Sequence, residues 1–333
     1  MATKAGPSCA SARSTAGRTA SGASTCSAWR PNAAPIGINQ ILWTNDDLPD
    51  LTPPIDPLKI LDEMARLGYR GSQLGATFPR GPALRAALDS RNLRIAEAYV
   101  ALPWTPDGPN GDVMSIARAA LADLDAAAGD VLVVALHLTD DRVGHAARAD
   151  DPGTPRLTDN GLRSLAAILE ELGRAARALR HPLAFHHHAG TYVETPRELD
   201  GLLAATDPDL VGLCLDVGHY VLAGGDPVEA IGRHGSRIRH VHLKDVDHEV
   251  AGRMRSGAID GFLEGLRHRV FTELGRGELD LARVLGALAG CGYQGWLLVE
   301  HDTTWRPPSE SAAISRAIVE YALRELPRMG RVA

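Results

Sequence analysis

Two apolar runs in this chain stop at groups that can bind a metal. Residues 211–215 (VGLCL) form a short continuous apolar run, as expected of a strand buried on both faces, and the run ends at Asp216, with Gly218 and His219 just beyond. Residues 238–243 put His240 and His242 on one strand face, because side chains i and i+2 point the same way, and Lys244 and Asp245 follow directly. A carboxylate and an imidazole at the ends of neighbouring parallel strands make half of a divalent-metal site. Two more runs offer the other half. Residues 182–188 end in His186, His187 and His188, and residues 295–300 end in Glu300, with His301 and Asp302 after it. His, Asp, His and Glu at matching ends of four successive strands suit Mn²⁺, Co²⁺, Zn²⁺ or Fe²⁺. A donor set without thiolates, with a position left for substrate, fits a catalytic site better than a structural one.

The elements that must carry these groups are readable from the hydrophobic periodicity. Strands are expected at 35–43, 70–74, 93–102, 131–138, 182–188, 211–215, 238–243 and 295–300. Helices are expected at 56–67, 82–90, 112–128, 159–179, 195–205, 227–234, 279–289 and 309–328. Asp112 reads as an N-cap, and Thr195-Pro-Arg-Glu198 combines a cap with Pro at the first helical position. Strands alternating with helices call for a parallel sheet, and about 300 residues for eight such units match a closed (β/α)8 TIM barrel. An open doubly wound sheet would carry a Gly-rich phosphate turn after its first strand, and none follows 35–43. Residues 35–333 thus read as one catalytic barrel, with an insertion around 247–275 that acts as a lid or partner surface. Residues 1–34 are rich in Ala, Ser, Thr and Gly, hold Arg13, Arg18 and Arg30 and no acid, and read as a disordered tail. The tail lacks the apolar core of a signal peptide, although its basic, Ser-rich character looks somewhat like an organelle transit peptide.

Composition narrows the function classes. A net charge of −6 opposes nucleic acid as the main partner, and no apolar run approaches the length needed to span a bilayer. Cys9, Cys26, Cys214 and Cys291 show no paired spacing, so a cytoplasmic, reducing setting is the default. The basic residues are almost all Arg. Only Lys4, Lys59 and Lys244 depart from that bias, which makes a Lys at the end of a core strand informative.

Strand ends elsewhere supply further candidates. The first strand ends in Trp43, Thr44, Asn45, Asp46 and Asp47, the second carries Gln73, the third Glu97 and Tyr99, and the fourth His137. Trp43 could form an apolar wall, or simply sit in the core; Asn45 and Asp46 could bind hydroxyls, or cap a turn. Glu97 could orient substrate, or pair with an Arg.

With these residues in view the chain resembles a known family. LDVGHYVLAG, HVHLKD, WLLVEHD, the opening PIGINQILWTNDDLP, GYRGSQLGATFP and HHHAGT are similar to segments of the xylose-isomerase-like barrels, and among them to the inosose dehydratases of myo-inositol catabolism. The likeness runs from about Pro35 to Glu325. It implies a metal-dependent lyase, with Mn²⁺ first among the candidate ions, that dehydrates a keto-cyclitol or keto-sugar through a metal-stabilised enolate. It implies Asp216, His242 and Glu300 as ligands. The superfamily's fourth ligand, a Glu at the end of strand 5, is replaced here by His186, with His188 as the alternative. Glu300 or His188 is then the candidate base, Lys244 the electrostatic partner or acid for the leaving oxygen, and His219 either a substrate contact or the partner of a ligand. Gln73 and His137 stand where dehydratases carry acids. With His186 in place of a carboxylate only Glu300 remains of the epimerases' catalytic pair, so one-base elimination is favoured over two-base epimerisation. The rival readings are an isomerase or epimerase, a 3-keto-glycoside lyase or a dehydroshikimate-type dehydratase on the same metal site. An endonuclease is opposed by the net charge. A barrel that has lost activity and serves as a partner subunit is the reading from another class. The expected partner is a small polyol or keto-sugar, with self-association into a homo-oligomer compatible.

Overall fold

The computed structural model describes residues 34–51 and 53–329, so the expected disordered tail, apart from Ala34, lies outside the described residues, as do Cys9, Cys26 and Lys4. Eight strands line up in parallel: β1 (Ile36–Ile38), β2 (Gly71–Gln73), β3 (Arg94–Leu102), β4 (Val131–Leu136), β5 (Leu183–His186), β6 (Gly212–Asp216), β7 (Ile238–Leu243) and β8 (Leu297–Val299). Their order is β1-β8-β7-β6-β5-β4-β3-β2. The ring closes between β1 and β2, where the Arg70 amide donates to the Ile36 carbonyl at 2.9 Å. The two backbones approach so closely that a Cβ on Gly37 would sit 2.9 Å from the Gly71 carbonyl oxygen. The expected (β/α)8 TIM barrel is the fold.

Helices close the circuit on the outside, and their ends are set by local chemistry. Asp56, Asp112, Thr158 and Asp226 each cap a helix through a side-chain oxygen. Thr195 and Glu198 form the reciprocal box: the Glu198 amide donates to Thr195 Oγ1 at 3.2 Å and the Thr195 amide donates to Glu198 Oε2 at 3.0 Å. The apolar faces of these helices and of the strands merge into one core that includes Ile60, Leu169, Leu202, Leu285 and Val319. Among the described residues, no helix is long and apolar enough to cross a membrane.

Two departures from the sequence pattern matter for the site. β1 stops at Ile38, and Ile41–Thr44 form a helical turn that ends at Asn45, whose backbone is left-handed (φ 48°). β5 stops at His186, so His188 stands on a loop rather than on the strand. The insertion forms helices His248–Arg255 and Gly261–Arg267, and its ends pair as a short hairpin, Asp245–Val246 with Phe271–Thr272. It has its own apolar cluster of Val246, Met254, Phe262, Leu266 and Phe271, packed over the ends of β5 to β7.

Candidate metal centre

The strand ends bring the expected donors together. His242 Nδ1 lies 3.0 Å from Glu300 Oε2 and 3.6 Å from Asp216 Oδ2, and His186 Nε2 lies 3.5 Å from Asp216 Oδ2. All four side chains are buried. Register explains the convergence, because Asp216 sits opposite His242 across β6 and β7, and His186 opposite Cys214 across β5 and β6. His186 Nδ1 and Nε2, Asp216 Oδ2 and His242 Nδ1 are all buried without a hydrogen-bond partner. Stranding that many polar atoms costs several kcal/mol, roughly 1–3 per group, unless something binds them. The donor set of two imidazoles and two carboxylates fits a divalent cation, and that cation would pair Asp216 Oδ2, His242 Nδ1 and one ring nitrogen of His186.

Behind this ring lies a layer that holds its side chains in place. His242 turns its Nε2 away from the centre to Glu97 Oε2 at 2.8 Å, and His240 Nε2 reaches the same oxygen at 2.9 Å. Burial opposes charge on Glu97, yet His242 and His240 hold its carboxyl well below the usual range. Glu97 is thus taken up by His240 and His242 and does not line the cavity, and its partners are these imidazoles and not an Arg. Lys244 is fully buried and reaches Glu300 Oε1 at 2.8 Å, Asp302 Oδ1 at 2.7 Å and Asp216 Oδ2 at 3.4 Å. Its aliphatic stem passes over Gly218, where a Cβ would come within 2.6 Å of it. Burial alone would discharge this ammonium, but Asp216, Asp302 and Glu300 raise its pKa well above the ordinary value. The same ammonium and His219 overcome burial to keep Asp216 ionised. The alternative partner Asp245 is occupied elsewhere, accepting from the amides of Gly275 and Leu279.

A cavity of about 160 Å³ opens beside the centre, lined by Asn39, Ile41, Asp46, Asp47, Gln73, Tyr99, His186, His188, His242, Glu300 and Asp302. Gln73 and Asp46 are where the sequence puts them. Asn39 links the two sides by donating from Nδ2 to Glu300 Oε2 at 2.8 Å and to Gln73 Oε1 at 3.0 Å. His188 bonds through Nδ1 to the Ala189 carbonyl at 2.7 Å; a carbonyl only accepts, so Nδ1 carries the proton and Nε2 offers its lone pair. Burial, then His186, lowers the His188 pKa to about 3. The loop that carries His188 is pinned by Glu194, which accepts from the amides of Gly190 and Ala147, each at 2.7 Å.

Four other expected contacts lie off the cavity. Trp43 is a core residue whose Nε1 donates to Glu63 Oε2 at 2.7 Å, and Ile41 is the aliphatic wall in its place. Asn45 is buried, and its amide closes the helical turn on Ile41. His137 is exposed, so its departure from an acidic residue does not reach the centre. His219 Nε2 accepts from the Lys244 ammonium at 3.0 Å, its ring lies 3.8 Å from the His188 ring at a 40° tilt, and it does not line the cavity. Asn39, Ile41, Asp47 and Asp302 complete the lining without having been singled out. Asp302 and Asp47 were at strand ends already inspected, whereas Asn39 and Ile41 look in sequence like the middle of a longer strand.

The family model of the xylose isomerase-like TIM barrel matches residues 61–322. An inosose dehydratase from Lacticaseibacillus casei is 36% identical over 273 residues, which cover 80% of this chain and 88% of that protein. One from Clostridium botulinum (strain Eklund 17B / Type B) is 34% identical over 293 residues, 86% of this chain and 96% of that protein. A solved L-ribulose 3-epimerase superposes with a TM-score of 0.66 at 18% identity, covering 90% of this chain and 97% of its own. The strand order, the buried His–Asp–His–Glu set and these likenesses agree: the chain belongs to the xylose isomerase-like TIM-barrel family, among the inosose dehydratases.

Proposed function

We propose that this protein is a divalent-metal-dependent dehydratase that removes water from a keto-cyclitol of the 2-keto-myo-inositol type, with Mn²⁺ as its ion. The observation that carries this reading is the ring of unpartnered donors opening onto a small polar cavity, in a chain 33–36% identical to proteins named inosose dehydratase. His186, Asp216, His242 and Glu300 hold the cation. When bound there it supplies Lewis acidity, which eases removal of the proton beside a carbonyl.

The chain's own residues then divide the work. His188 accepts the α-proton on Nε2, since its Nδ1 is already committed to the Ala189 carbonyl; burial makes it a weak base, so the step depends on the acidity that a bound cation would lend that proton. This frees His186, with both ring nitrogens unpartnered, for the role of fourth ligand. Asp302 lines the cavity and gives its proton to the departing β-hydroxyl, which leaves as water. Burial pushes the Asp302 pKa up to about 8 against the opposing Lys244, and nearby Glu300 adds to the rise, so the acid form is present at neutral pH and Asp216 and Glu300 are then the carboxylates that keep Lys244 charged. Lys244 lies beneath, tying Asp302 to Glu300 and Asp216. Asp46, Asp47 and Gln73 accept hydrogen bonds from ring hydroxyls, and Ile41 packs against the C–H face.

A small keto-polyol is the partner in this reading, self-association of the chain is compatible with it, and the setting is a reducing cytoplasm, where Cys214 and Cys291 remain free thiols. Incubation of the Mn²⁺-loaded protein with 2-keto-myo-inositol, followed by nuclear magnetic resonance, is expected to show loss of water and a dione product. An inverted ring carbon with no water lost would replace this reading with epimerisation, the reaction named for the structural neighbour.

A further inference from the structure

A second cavity, about 490 Å³, lies between the loops that follow β7 and β8 and shares no lining residue with the metal pocket. Its walls include Arg269, Arg276, Arg306, Phe271, His301 and Trp305. Two acids, Glu273 and Asp247, share this lining. Glu273 takes the Arg306 guanidinium at 2.8 Å and the Ser311 hydroxyl at 2.8 Å, and Asp247 takes the Val250 amide at 2.9 Å. Among the described residues, Arg269 and Arg276 form no ion pair; the Arg269 guanidinium lies 4.9 Å over the Trp305 ring, which is 39% exposed.

We propose that this cavity binds a phosphorylated polyol such as a hexose phosphate. Guanidinium forks match the oxygens of a phosphate two at a time, and Arg269, Arg276 and Arg306 against Asp247 and Glu273 leave the cavity with an excess of positive charge that an anion fills. The exposed indole beside them gives the sugar's C–H face an apolar surface, which a bare phosphate does not use. The site is carried on Phe271, whose ring also packs 4.6 Å from Lys244 Nζ and whose carbonyl accepts from His301 Nε2 at 3.2 Å. The ligand is therefore separated from the catalytic floor by a single aromatic side chain.

Titration calorimetry of the full chain with glucose 6-phosphate, glucose and inorganic phosphate tests this. The sugar phosphate is expected to bind saturably and at least tenfold more tightly than either fragment, with affinity falling as salt rises. The double variant Arg269→Asn, Arg276→Ala is expected to lose at least tenfold in affinity while keeping melting temperature and basal turnover; Asn tolerates the left-handed backbone at position 269 (φ 68°). Trp305→Ala is expected to erase the advantage of the sugar phosphate over inorganic phosphate. The proposal is overturned by the absence of saturable binding or by binding that the double variant leaves unchanged. Equal affinity for inorganic phosphate, insensitive to Trp305→Ala, overturns the polyol part. Loss of self-association in the double variant without any phosphate binding assigns the patch to a second copy of the chain.

Discussion

The two halves of the barrel differ in how they build their share of the cavity. β5 to β8 deliver His186, Asp216, His242 and Glu300 to one point, with Lys244 clamped beneath them. β1 to β4 bring no side chain to that point, and of the side chains expected to face substrate there, Asp46 and Gln73 line the cavity, whereas Trp43 is in the core, Asn45 closes a turn, Glu97 bonds His242 and His137 is exposed. The lesson is about direction. Where a strand runs to its expected end, alternation fixes which way each side chain points. Where it stops early, as β1 does at Ile38, the chain turns into a helix and alternation no longer applies.

This contrast can be broken most severely on the ligand side. Asp216→Ala is expected to abolish stoichiometric metal binding and cut turnover by on the order of 10³-fold, read by elemental analysis and steady-state kinetics. Retention of a full metal complement would remove Asp216 from the ligand set. Next in size is His188→Ala, expected to lower kcat by about 10²–10⁴-fold with metal content intact. A variant that also loses its metal would make His188 a ligand. The first half of the barrel enters through Glu97→Gln, which should weaken metal affinity by about 10–100-fold with little change in KM. A pure KM effect would return Glu97 to the substrate. Trp43→Phe should cost about 1–2 kcal/mol in a urea melt, through the orphaned Glu63 partner and the lost ring, with KM unchanged. A raised KM with unchanged stability would put Trp43 back in the cavity.

A further effect concerns pH. His187 is fully buried with neither ring nitrogen partnered, and burial, then His186, lowers its pKa to about 3. Between about 6.5 and 3 the unfolded chain takes up a proton there that the folded chain refuses, so stability is full above pH 6.5 and falls as pH drops. The slope from this group reaches about 1.4 kcal/mol per pH unit, and urea melts at pH 7.5 and 5 should show it shrinking by up to that amount in His187→Leu. An unchanged slope would show that the imidazole is not held neutral by its burial.

Much of the architecture was legible in advance because each barrel strand is an apolar run ended by polar groups. The helices at 227–234 and the strand at 238–243 fall where periodicity puts them. The donors were legible for the same reason, since metal-binding residue types recur at four successive strand ends. The layer behind them was not. Nothing in the spacing says that Glu97 on β3 reaches His242 on β7 across the barrel, or that Asn39 bridges Glu300 and Gln73. Such contacts depend on closure of the ring, which a local pattern does not encode. His188 kept its place in the cavity although β5 ends two residues earlier, because Glu194 pins the loop after it.

The central claim is that one cation sits among His186, Asp216, His242 and Glu300. Anomalous scattering from Mn²⁺-soaked crystals tests it most directly. The account predicts one strong peak within bonding distance, about 2.0–2.3 Å, of an atom from each of the four side chains. A peak bonded to a different set, or none at the strand ends under saturating Mn²⁺, would contradict it.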